Sequence, residues 1–72
     1  MKNKLLQIQK NEITEYALYK KIAPVLTDTR EREIVLRMAE QEKAHYEIWK
    51  KITGKKMRPS LIKVWFYYFI CC

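Results

Sequence analysis

The chain has 72 residues, enough for one small domain whose buried core stays marginal unless a partner chain, a metal or a disulfide adds to it. One Gly and two Pro among many Leu, Ile, Lys, Glu and Ala residues favour an all-α protein with few turns, and the only cysteines, Cys71 and Cys72, are adjacent and cannot staple distant segments together. The net charge of +7 is uneven, +3 over residues 1–26, zero over 27–53 and +4 over 54–72; six acidic residues in the central segment argue against a groove-reading nucleic-acid helix, and the basic ends suit solubility or an anionic membrane surface.

The N-terminus, MKNKLLQIQKNE, has charge but no apolar run of signal-peptide length, so a cytoplasmic protein is expected. From Leu5 the positions Leu5, Ile8, Glu12, Tyr16 (or Glu15), Tyr19, Ala23 and Leu26 recur at three- and four-residue steps, which predicts a helical face that is apolar except at Glu12. Pro24 predicts that this helix ends or bends near residues 22–26. TDTRERE follows, where Thr27, Asp28 or Thr29 can cap a new helix and Asp28 and Glu31 have capping-box spacing. The expected inward residues of the second helix are Glu31, Val35, Met38, Glu42, His45, Trp49 and Ile52, flanked by Ile34, Ala39 and Ile48. Lys50, Lys51 and Gly54 suit its end.

These elements predict a helical hairpin over about residues 4–53, a basic linker over 54–60 and an apolar segment over 61–72. Ser60 is placed to cap the last segment, LIKVWFYYFICC, which is too short to cross a bilayer and contains Lys63. It reads as a segment that packs in the core or between copies. The sharper alternative is an interfacial anchor beside Lys55, Lys56 and Arg58. Cys71 and Cys72 look like a lipid-acceptor ending only in isolation, and read as incidental.

Glu42-x-x-His45 contains the only histidine, and as a tetrapeptide it is a weak signal. Glu12 strengthens it. The midpoint of residues 12 and 42 is residue 27, where the turn is expected, so both carboxylates lie about 20 Å up their helices and at one level. Two facing carboxylates are unfavourable unless something positive lies between them. A divalent metal supplies that charge, and an imidazole at i, i+3 completes a mixed nitrogen and oxygen site. One hairpin offers two carboxylates and one histidine; two hairpins offer the set found in di-iron four-helix bundles. The competing reading is a metal-free helical interaction module in which Glu12, Glu42 and His45 form a polar network that fixes dimer register. Glu15, Glu40 and Glu47 read as surface residues.

NEITEYALYKKIA followed by MAEQEKAHYEIWKK resembles the first half of a ferritin-like di-iron domain of the rubrerythrin type, in particular the version attached to vacuolar iron transporter family proteins. The resemblance covers residues 8–53 and rests on Glu12, Tyr19, Glu42 and His45. It implies that Glu42 bridges two metals, that Glu12 and His45 are terminal ligands, and that Tyr19 has a catalytic role without ligating. It further implies iron at two ions per dimer, with manganese or zinc as substitutes, and ferroxidase or peroxide-reducing activity. Family members continue into a second hairpin with its own ligands. This chain is therefore expected either to be a fragment or to form a homodimer or higher even oligomer that closes a four-helix bundle.

Overall fold

The computed structural model describes residues 2–71, and side chains from Asn3 to Ile70; Cys72 and the Cys71 side chain lie outside the described residues. Three helices follow one another: α1 (Lys2–Ile22), α2 (Thr29–Thr53) and α3 (Leu61–Cys71). No strand occurs among the described residues, and the fold class is all-α.

Pro24 acts where it must. It lies in a short 3-10 turn, Ala23–Val25, directly after α1, and the Leu26 N–H donates to the Ala23 carbonyl at 3.2 Å. Leu26 is extended, and its carbonyl accepts from both Nε (3.2 Å) and Nη2 (2.6 Å) of Arg32, which ties the turn to the first coil of α2. Asp28 caps α2: its carboxylate accepts from the Glu31 N–H at 3.1 Å, a contact of a kind that stabilises a helix by about 1 kcal/mol. At the other end Gly54 takes φ +69°, and its N–H donates to the Lys50 carbonyl at 2.8 Å. That left-handed conformation suits glycine.

α1 is the central helix, with α2 packed along one side and α3 on another. The buried residues are Gln9, Ile13, Thr14 and Ala23 from α1 and its following turn, Ala39 and Tyr46 from α2, and Val64 from α3. This corrects the expected α2 stripe. Met38 and Ile52 are 38% and 61% exposed, and the side that α2 buries is the neighbouring one, through Ala39 and Tyr46, about 100° round the helix. On α1, Ile8 is likewise exposed, whereas Gln9 and Ile13 are buried. The helix-pairing seam takes the smaller and the hydrogen-bonding side chains. Ala39 is fully buried, and the large apolar residues one step round are left on an open face.

Polar contacts explain why Gln9, Thr14 and Tyr46 are inside. The Gln9 amide donates to the Lys55 carbonyl and accepts from the Thr53 hydroxyl at 2.7 Å. The Tyr46 hydroxyl donates to the Met57 carbonyl (3.1 Å) and accepts from the Met57 N–H (3.0 Å). The Thr14 hydroxyl donates to the Lys10 carbonyl and accepts from the Ser60 N–H. Segment 54–60 is thus clamped at three points rather than free, with the Lys55, Lys56 and Arg58 side chains outward. No buried side-chain polar atom among the described residues lacks a partner.

Ser60 starts α3, its carbonyl accepting from the Val64 N–H at 3.0 Å. From Thr14 at its start to Lys21, whose Nζ stands 3.6 Å over the Trp65 ring, α3 runs in the same direction as α1. The expectation of a core-packing segment is met by Val64 and the half-buried Tyr68; the rest of α3 is exposed. No helix is long and apolar enough to cross a membrane among the described residues.

Candidate metal centre

Glu12 extends from the middle of α1, and Glu42 and His45 from the facing stretch of α2. The turn at residues 26–28 brings them to one level, as the equal spacing on either side of it requires. His45 Nδ1 lies 3.3 Å from Glu12 Oε2 and 3.5 Å from Glu42 Oε1, and one potential ligand atom from each of the three residues lies within 4.8 Å of the other two. The carboxylates are sheltered, at 18% and 17% exposure of their side chains, and the imidazole at 53% closes the group on the solvent side. His45 is therefore at the rim, not at the inward position expected for it.

A third carboxylate belongs to this group. Glu15, read from sequence as a surface residue, is exposed, but its carboxyl hydrogen-bonds to that of Glu42. That bond, with some burial and the Glu42 charge, pushes Glu15 up to about 7. Such a shift favours a proton on Glu15 beside the Glu42 carboxylate. Tyr19 is half-buried next to the same charges: burial first, then Glu15 and Glu42, raise its phenol above the ordinary value. The signal for Glu15 was present as spacing, three residues after Glu12 and four before Tyr19, which keeps all three on neighbouring turns.

No lysine or arginine pairs with Glu12, Glu15 or Glu42 among the described residues. Lys43 and Lys50 pair instead with Glu47 at 3.6 and 3.5 Å, on the surface as expected for Glu47. The donor set fits a divalent metal. Ligand atoms about 2.1 Å from one ion and 90–110° apart stand about 3.0–3.4 Å from each other, close to the separations from His45 Nδ1 to the two carboxylates. Mixed carboxylate and imidazole donors suit iron, manganese or zinc. One chain offers too few ligands for two ions, even with Glu15 added.

No curated protein and no solved structure matches this chain. The family model described as "Ubiquinone biosynthesis protein COQ7" matches residues 3–69, which takes in all three helices and every residue of the cluster. Its members are ferritin-like di-iron carboxylate proteins, so the match supports the ferritin-like part of the resemblance read from sequence and does not extend to the rubrerythrin type or to transporter attachment. A helical hairpin that gathers Glu12, Glu42 and His45 at one level, and that matches this model over nearly its whole length, belongs to the COQ7 family of di-iron carboxylate proteins.

Proposed function

We propose that Glu12, Glu42 and His45 bind iron in a centre completed by a second copy of the chain, two ions per dimer, and that this centre oxidises ferrous iron with dioxygen or peroxide. The convergence of the three ligand atoms carries the reading. A bound iron pair would supply one-electron redox chemistry beside an open coordination position. The protein's part is electrostatic and positional. Glu12 and Glu42, sheltered and without a lysine or arginine partner among the described residues, attract a cation. His45 offers Nδ1 to the group, and a proton and a metal compete for that nitrogen. Glu15 holds a proton against Glu42 below about pH 7 and gives it up when positive charge arrives. Tyr19 stands beside the carboxylates without being one of the three.

In this reading iron is also the substrate. Two ferrous ions lose one electron each to one peroxide molecule, which takes up two protons and leaves as two waters. Access through the rim at His45 suits small reactants; of two clefts along α1, one is lined by α1 and α3 residues such as Asn11, Thr14 and Lys63, and the other adds Glu15 and Tyr67 and so reaches the carboxylate beside Glu42. The family match favours a second reading, hydroxylation of an organic substrate at the same centre.

Anaerobic titration with ferrous iron, alongside light scattering, tests the shared centre: a dimer that takes up two ions is expected. Peroxide or air is then added and ferric absorbance followed. A folded monomer that binds no ferrous iron would remove the proposal. Tight binding with oxidation no faster than in buffer would leave hydroxylation as the better reading. Manganese or zinc should compete for the ligands, zinc without turnover because it has no redox chemistry.

A further inference from the structure

A cleft of about 190 Å³ opens between α1 and the start of α3, and no acidic residue lines it. Lys10 enters it from α1 and Lys63 from α3; the other lining residues, Gln7, Asn11, Thr14 and Ser60, are neutral. Neither lysine pairs with a carboxylate among the described residues. Two ammonium groups on one small cleft repel each other, and a bound anion relieves that repulsion. The neutral groups are set to donate. Gln7 Nε2 donates to Asn11 Oδ1 at 3.0 Å, which turns the Asn11 oxygen towards Gln7 and leaves its amino group for another acceptor. The Thr14 hydroxyl donates to the Lys10 carbonyl at 2.7 Å and accepts from the Ser60 N–H at 2.9 Å, and Ser60 Oγ accepts from the Lys63 N–H at 3.4 Å. That chain of bonds ties together the backbones that carry the two lysines, so the cleft is formed before a ligand arrives. From the two unpaired lysines, the free amide donor and this fixed floor we propose that the cleft binds the phosphate group of a small soluble molecule.

Charge and shape choose phosphate. It carries up to two charges and presents oxygens in several directions, which suits two ammonium groups from different helices together with an amide, and lysine serves phosphate as a point charge. A carboxylate, with one charge and two oxygens in a plane, satisfies one lysine and leaves the other unpaired. The adjoining cleft shares Asn11, Thr14 and Lys63 and adds Glu15 and Tyr67. A second anionic group there would meet Glu15, whereas the Tyr67 ring offers an apolar wall. The ligand is therefore inorganic phosphate or a monoester with a single phosphate, its organic part against Tyr67. Neither cleft includes Glu12, Glu42 or His45, so the site stands whether or not that cluster holds iron.

The experiment labels the full chain with nitrogen-15 and titrates it, without added metal, with inorganic phosphate and with phenyl phosphate at constant ionic strength. Saturable shifts of the Asn11 side-chain amide and the Lys63 backbone amide are expected. Tighter binding of phenyl phosphate assigns the cleft to an ester; equal or weaker binding assigns it to the free ion. Lys10→Gln and Lys63→Gln should each weaken binding about fivefold, and Asn11→Ala, which keeps the charge, by about as much. Lys51→Gln removes the same charge from a residue of α2 that lines neither cleft, and should leave binding unchanged. None of these side chains is among the buried residues, so circular dichroism should match the parent in every variant. Failure to saturate overturns the proposal, as do the same shifts with sodium chloride in place of phosphate. So does a loss in Lys51→Gln equal to that in Lys10→Gln, because the anion then answers to net charge and not to the cleft.

Discussion

The middle of the hairpin and α3 depart from ordinary burial in opposite senses. Around Glu12 and Glu42 the chain shelters carboxylates with His45 beside them and no lysine or arginine to neutralise them; along α3 it exposes phenylalanine and isoleucine while its basic neighbours pair with no carboxylate among the described residues. Buried charge without a partner and exposed apolar surface without cover are both costly. The first calls for positive charge, the second for an apolar cover. The two lie on different sides of α1, so each can be altered while the other serves as control.

The largest effects should come from the ligands themselves. Glu42→Ala or His45→Ala is expected to reduce ferrous iron affinity by at least a hundredfold, about 3 kcal/mol or more, because each leaves too few donors at the cluster. Glu47→Ala should leave it unchanged, since that carboxylate pairs with Lys43 and Lys50 about 200° round the helix from His45. Isothermal titration under anaerobic conditions measures all three. Equal losses would mean that iron meets scattered surface carboxylates, and the comparison between the two regions would collapse.

The hairpin and its turn were legible because local chemistry fixes them. Pro24, Asp28 and Gly54 each act at the position their backbone constraints require, and once the turn is placed the level of Glu12 and Glu42 follows from rise per residue. The seam between α1 and α2 was not legible. α2 carries two candidate stripes one residue apart, Met38–His45–Ile52 and Ala39–Tyr46–Thr53, and hydrophobicity favours the first. Close helix approach and hydrogen bonding chose the second, through a fully buried alanine and the tyrosine hydroxyl that meets Met57. Glu15 was missed for a related reason: its exposure follows from helix position, but its bond to Glu42 depends on how closely the helices approach.

Tyr46→Phe probes the frame that joins the two regions. It removes one hydroxyl and leaves both backbone groups of Met57 without that partner, a loss of about 2 kcal/mol in unfolding free energy. Urea melts measure it. Iron affinity should stay within threefold of the parent, because Tyr46 lies on the seam and not on the cluster. A variant that loses iron instead would show that the seam positions the ligands and that the two regions are not independent.

The smallest effect is a pH dependence of the metal-free protein. Glu15 is raised from 4.5 to about 7 in the folded chain by its bond to Glu42, by burial and by the Glu42 charge. Between those two values the folded chain holds a proton that the unfolded chain releases, so stability falls as pH rises through the window from 4.5 to 7. The change is modest because Glu15 is exposed and solvent screens it. Thermal melting in chelator should therefore show the midpoint dropping across that window, and Glu15→Gln should flatten the slope by removing the titrating group while keeping a hydrogen-bonding side chain. Ferrous iron should reverse the trend: above pH 7 it supplies the charge that the lost proton no longer provides, and at a hundredfold excess over its dissociation constant it adds about 3 kcal/mol. If the metal-free slope has the opposite sign, or survives Glu15→Gln, the carboxylates are not crowded together, and the sheltered charge that sets the hairpin apart from α3 has another explanation.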